Sequence, residues 1–320
     1  MDIDVFSRQQ QPLVMRTLRT ALRFDGALDA RERLFLDTYA RICGFDRGAA
    51  DPLALHPDEV RIEDPHQRKR LVQLSALAVM HALPMRADSF AFLKALARRL
   101  DTHDPVIDAI DAAMKGRKLK ARIVTVRRGL RVFLREAWHA EGAWGVARFL
   151  GAMFLKATVN KDRMWHYKRL GLLPEGTLGR EFFRHMATVG FAFPGEPQGI
   201  PDTLAYHDVI HVLAEHPTTP LGEIQQASFQ AGNRREDGFF FAQMVVLHFH
   251  QGVTVTPATP ATTGMFEPDK VLWAIHRGAQ CNVDMTHGWD FWPLMRLPMH
   301  EARARVALLP RLGAATGAAA

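Results

Sequence analysis

YHDVIHVLAEHPTTPLGEI, residues 206–224, sets three histidines and three carboxylates into nineteen residues, in a pattern of helix, break and helix. The spacing predicts a first helix over about Leu204–Glu215. His207 and His211 are four apart and stand one turn above the other on a single face, the separation at which two imidazoles can hold one divalent ion. Asp208 lies about 100° around the axis. It can join as a third ligand or fix the tautomer of a ligand histidine. HPTTPLG then breaks the helix, with Thr219 as cap and Pro220 in the first position of the next helix. Glu223 thereby falls in that helix's opening turns. If the two helices return antiparallel, two imidazoles and two carboxylates converge. Such a set suits zinc, iron or manganese and is too rich in nitrogen for calcium. The same His pair also arises on ordinary helices, and the helix dipole favours Glu223 without any metal. Glu215 and His216, at the helix end, are expected to face solvent.

Upstream, LLPEGTLGREFFRHM (172–186) predicts a helix capped by Thr177, with Phe182, Phe183 and Met186 as its apolar face. FAFPGEPQGIPD (191–202) is too rich in Pro and Gly for a regular element and leads to Asp202 or Thr203 as the next cap. Downstream, FFFAQMVVL (239–247) is apolar nearly all round, which reads as core or as the wall of a lipid tunnel. His248 and His250 diverge by about 200° on a helix, so only one of them could approach the histidine pair. His276, Arg277 and His287 are further candidates to meet a substrate carboxylate or phenol.

Residues 1–114 read as helices throughout. QPLVMRTLRTALRF places Leu13, Val14, Leu18 and Leu22 at helical spacing. In DGALDARERLFLDTYARICG, Asp29 followed by Glu32 makes a capping-box start and Gly44 a stop. The Asp25–Gly26 pair lacks the further ligands of a calcium loop. ALRFDGALDARERLFL resembles the TerB-like (tellurite-resistance) helical domains, which implies a small all-helical module. A junction follows: between Lys115 and Arg135 there are nine Lys or Arg and no acid. GAWGVARFLGAMFL (142–155), with Trp144, Phe149 and Phe154, comes next. A basic stretch beside an apolar one is what an interfacial helix needs, so 115–155 is a candidate membrane surface. No recognition motif for nucleic acid accompanies the charge.

The bulk numbers agree with this division. The chain has 320 residues, 48% apolar, with a net charge of +7 and a pI near 9.7. An anionic partner is favoured. Cys43 and Cys281, far apart, exclude a disulfide framework and a cysteine-based zinc site. MDIDVFSRQQQPLV has acids where a secretory signal needs bases. The expected location is cytoplasmic, peripheral on the inner face of the cytoplasmic membrane.

The constellation His207-Asp208-x-x-His211, eleven residues, then Glu223 resembles the metal signature of the ubiquinone (coenzyme Q) biosynthesis protein four family. LPEGTLGREFFRHM, VLWAIHRGAQ with Trp273 and Gly278, and THGWDFWPLMRLP extend the likeness over about residues 155–310. DTLAYHD replaces the family's arginine-rich approach to the His-Asp pair, and HFHQGVTVTPATPATTG is an insertion. The resemblance implies an all-α fold and a divalent metal, zinc first and iron or manganese otherwise, held by His207, Asp208, His211 and Glu223. It implies a lipid-facing cavity and oxidative decarboxylation of a polyprenylated aromatic ring, its carboxyl removed and a hydroxyl installed. Other quinone-biosynthesis proteins, and a second copy in a homodimer, are the implied protein partners. The expected organisation is a helical module at 1–114, a metal-binding domain at 115–312 and a tail at 313–320. Two rivals stand beside this: a non-catalytic quinone-lipid binder or scaffold with a structural metal, and a stress-response module with none.

Overall fold

The computed structural model describes residues 1–45, 54–154, 159–197, 199, 204–256 and 259–311. Among them the fold is all-α, as expected. In chain order the helices are α1 (Gln11–Leu22), α2 (Ala30–Cys43), α3 (Pro65–His81), α4 (Ala87–Arg99), α5 (Val106–Met114), α6 (Lys118–Phe154) and α7 (Lys161–Lys168). Then come α8 (Leu178–Val189), α9 (Tyr206–Ala214), α10 (Pro220–Asn233), α11 (Phe239–Phe249), α12 (Pro268–Gln280) and α13 (Met299–Arg305). The described residues hold no strand, only two isolated bridges, and no helix long and apolar enough to cross a membrane. The expected caps Asp202 and Thr203, and the tail from 313, lie outside the described residues. So do the side chains of Trp144, Phe149 and Phe154, although α6 carries their backbone as far as Phe154.

Two compact units form: Met1–Arg128 with Glu223–Ala279, and Gly129–Gly222 with Gln280–Ala320. The division differs from the expected 1–114 and 115–312, because residues 223–279 join the N-terminal helices. In the first unit α3 is the centre. Every residue from Leu71 to His81 is buried, and α1, α4, α5 and α11 pack around it. The α2 start follows its sequence signals. Asp29 accepts from Arg31 N and Glu32 N, Glu32 returns to Asp29 N at 2.8 Å, and Gly44 closes the helix at φ 64°.

Backbone acceptors fasten the later segment to α3. His250 Nε2 donates to the His81 carbonyl at 2.9 Å, and Gln251 Nε2 donates to Met80 O at 2.6 Å and Ala82 O at 3.0 Å. Arg128, 5% exposed, ties three segments together. It donates to Asp104 at 2.6 Å, to Asp237 at 2.5 Å and to Gln243 at 2.8 Å. Gln73 completes Asp104 at 2.9 Å.

α10 and α12 cross with almost no side chain between them. A Cβ on Gly278 would meet the Phe229 carbonyl oxygen at 2.0 Å, and one on Gly232 would meet the Ile275 carbonyl oxygen at 1.9 Å. Backbone cannot yield as a side chain does, so both positions demand glycine. Gly278, noted in the sequence only as part of a resemblance, thus has a packing reason. The Phe239–Leu247 run is buried apart from the partly exposed Met244, which makes it core.

In the second unit Thr177 caps α8 as expected, accepting from Arg180 N. Phe182 and Met186 are buried beneath it. Leu178 N donates to Leu297 O at 3.0 Å and Gly179 N to Met295 O at 2.8 Å, which pins the start of α8 to the segment before α13. Helix α8 packs on α9, and Arg303 of α13 donates to the Leu213 carbonyl at 2.9 Å near the α9 end.

Candidate metal centre

α9 begins at Tyr206, two residues later than expected, and ends at Ala214 where Glu215 takes the left-handed conformation at φ 58°. That turn sends the chain back against the helix. His216 N donates to the His211 carbonyl at 3.1 Å, and His216 is 6% exposed. The expectation that His216 faces solvent is therefore corrected. The left-handed residue folds the chain inward rather than letting it run out. Glu215 does remain exposed, with its carboxylate 2.7 Å from Arg303 Nη2.

The burial of His216 matters for the centre. Its carbonyl oxygen lies 2.9 Å from His211 Nδ1. A carbonyl only accepts, so Nδ1 carries the proton and Nε2 keeps a lone pair. That lone pair faces His207 Nε2 at 3.1 Å, with the rings 74° apart. Two nitrogens of a tetrahedral site with bonds of about 2.0–2.1 Å stand roughly 3.3 Å apart. The His pair is thus already at ligand spacing, and the ring that needs orienting is held by a backbone acceptor.

Thr219 and Pro220 act as the sequence predicts. α10 starts at Pro220, and Gly222 N donates to Thr219 Oγ at 3.2 Å. Glu223 follows at once. Within this one continuous segment, His207, His211 and Glu223 each offer a ligand atom, all within 4.8 Å of one another. Two imidazoles and one carboxylate fit zinc, iron or manganese and would leave coordination positions open.

Gly222 fixes the return. A Cβ there would lie 1.8 Å from the Pro217 carbonyl oxygen. The loop can close that tightly only with a bare α-carbon next to the ligand. Gly222→Ala is expected to displace Glu223 and weaken metal binding about tenfold or more, the scale for disturbing a ligand's support. Helix content should persist. Competition with a chromophoric chelator measures the first and circular dichroism the second. Unchanged affinity would show that the loop does not set the ligand.

Asp208, the fourth expected ligand, does not join this group. It is 5% exposed, and its Oδ1 stands 3.8 Å from His185 Nε2. The 100° step along the helix carries it to the α8 side. His185, whose Nε2 is buried without a hydrogen-bond partner among the described residues, stacks on His211 at 5.9 Å and 19°. Sequence reasoning passed over His185. Its signal was its place beside Met186 on the edge of the apolar α8 face.

The other candidates have separate employment. His248 Nδ1 accepts from Val255 N at 3.1 Å, and its Nε2 meets Thr259 O at 3.1 Å. His250 Nδ1 accepts from Phe266 N at 3.1 Å, so both its nitrogens serve backbone groups. Burial lowers the pKa of each. His276 Nδ1 lies 3.8 Å from Asp4, and Arg277 is buried. No family model matches the chain, and no curated protein matches it significantly.

Proposed function

We propose that this chain binds one divalent transition-metal ion through His207, His211 and Glu223 and acts on a polyprenylated aromatic acid, the ring of a quinone precursor. The convergence of the three ligand atoms within 4.8 Å carries the reading. The motif of two histidines four apart, then eleven residues and a glutamate, supports it from the sequence. The likeness to the ubiquinone biosynthesis protein four family supplies the substrate class.

Three protein ligands favour an open site over a closed structural one, which ordinarily takes four. The ion, when bound, would supply Lewis-acid attraction for carboxylate and phenolate oxygens and, as iron or manganese, a place for dioxygen. Exchanging a ring carboxyl for a hydroxyl releases carbon dioxide and takes up one oxygen atom, so the reaction consumes an oxidant. The chain's own residues prepare the place. His216 orients His211 through its carbonyl. His185 stacks on His211, and Asp208 lies beside it. The rival, a quinone-lipid binder with a structural metal, needs a further protein ligand to complete its coordination.

Elemental analysis of the purified chain tests the first half. One equivalent of metal is expected, and much less in His211→Ala and in Glu223→Ala with the fold retained. A native protein without stoichiometric metal overturns the reading. Turnover of a prenylated hydroxybenzoate under air then tests the second half. A metal-replete chain that binds this substrate without releasing carbon dioxide favours the rival.

A further inference from the structure

We infer that the N-terminal part of α6 is a docking face for an anionic lipid surface. At about 100° per residue, Ala121, Thr125, Arg128 and Val132 fall on one side of this helix, and all four are buried. An ordinary helix on a protein surface turns polar residues to the opposite side. Here the opposite side carries Leu119, 68% exposed, Ile123, 46% exposed, and Val126, 43% exposed. The same stripe continues along the helix to the half-buried Leu130.

Basic residues line both edges of this stripe. Lys120, Arg127 and Arg131 stand on one edge and Arg122 on the other, and none of the four is in an ion pair among the described residues. Another arginine of the run, Arg128, is turned inward to Asp104 and Asp237 and takes no part. No acid occurs between Lys115 and Arg135 to offset the charge.

The pattern selects the occupant. An apolar strip flanked by cations matches a bilayer interface, where aliphatic groups enter the acyl boundary and cations meet phosphate headgroups. A second copy of this chain would press its own basic edges against these ones, and like charges oppose that. Nucleic acid would satisfy the cations and leave three large aliphatic side chains against a polar backbone. The inference does not depend on the metal centre.

Co-sedimentation of the full chain with phosphatidylcholine vesicles, with and without phosphatidylglycerol, tests it. Binding is expected only with phosphatidylglycerol present, and it should weaken as salt rises. Ile123→Asp with Val126→Asp should lower the partition coefficient about tenfold or more, and Lys120→Ala with Arg127→Ala by a similar factor. Both pairs lie at exposed positions, so unchanged thermal melting is expected and is the control for folding. No binding to the anionic vesicles overturns the inference, and so does binding that the aspartate pair leaves unchanged. Concentration-dependent dimerisation abolished by the aspartate pair, without vesicle binding, would assign the face to a second copy instead.

Discussion

Arg128→Met is expected to destabilise the first unit by about 3–5 kcal/mol, the scale for removing one partner from a buried ion pair. The arginine is 5% exposed and holds Asp104, itself 1% exposed, together with Asp237 and Gln243. Burial opposes its charge, yet Asp104 and Asp237 outweigh that and hold its pKa above the ordinary arginine value. Methionine fills much of the same volume and leaves two carboxylates without their cation. The midpoint of thermal unfolding should fall by on the order of 10 °C. Changing Asp104 and Asp237 to asparagine in the same variant should recover part of the loss, because the uncompensated charges go with them. Salt should change little in the wild type, since the pair is shielded from solvent ions. A loss below about 1 kcal/mol would mean that water reaches the pair and the network is only decorative.

That arginine also shows where sequence reading stops. It sits in a run of nine bases that reads as one solvated or lipid-facing surface. Its acids lie 24 and 109 residues away, so no local pattern marks it as the one turned inward. The attachment of 223–279 to the N-terminal helices is of the same kind, because His250 and Gln251 reach backbone carbonyls about 170 residues distant. By contrast, Asp29, Glu32 and Gly44 act within a few residues of one another, and the α2 start and stop were legible for that reason. The candidate site falls between these cases. His207, His211, Thr219 and Pro220 obey spacing rules that operate within one or two turns. The role of His216 depended on a left-handed Glu215, and that of Asp208 on which way α8 packs. Neither is written in the spacing. The all-α class was plain because helical periodicity recurs along the whole chain.

His81 gives the chain a second large expected response, this time to acid. Its ring is buried with both nitrogens lacking hydrogen-bond partners among the described residues. Burial, aided by the charges of Arg31 and His250 and opposed by Asp29 and Glu32, lowers its pKa from 6.5 to about 4. The folded chain therefore refuses a proton that the unfolded chain accepts once pH falls below 6.5. Stability is complete above that pH and declines as pH drops, until His81 is also protonated in the folded state near pH 4. The slope is roughly 1.4 kcal/mol per pH unit, and the whole window is worth about 3 kcal/mol. His248, His250 and His276 have lowered pKa values too, each first through burial, and steepen the same window. Glu32 and Asp2 act at more acid pH. Burial works against their charge, but Glu32's bonds to Arg23 and Arg86 and Asp2's bond to Arg70 prevail and lower both pKa values. Their contribution is lost only as pH falls below the ordinary carboxylate range. Urea unfolding of the wild type and of His81→Leu, from pH 7.5 down to pH 4.5, separates the groups. Leucine removes both unpartnered nitrogens at similar bulk, so the variant should match or exceed the wild type near pH 5. A residual slope should remain from the other histidines. A wild type whose stability is flat over this range, or a leucine variant with an undiminished slope, would show that His81 is not the group that resists the proton.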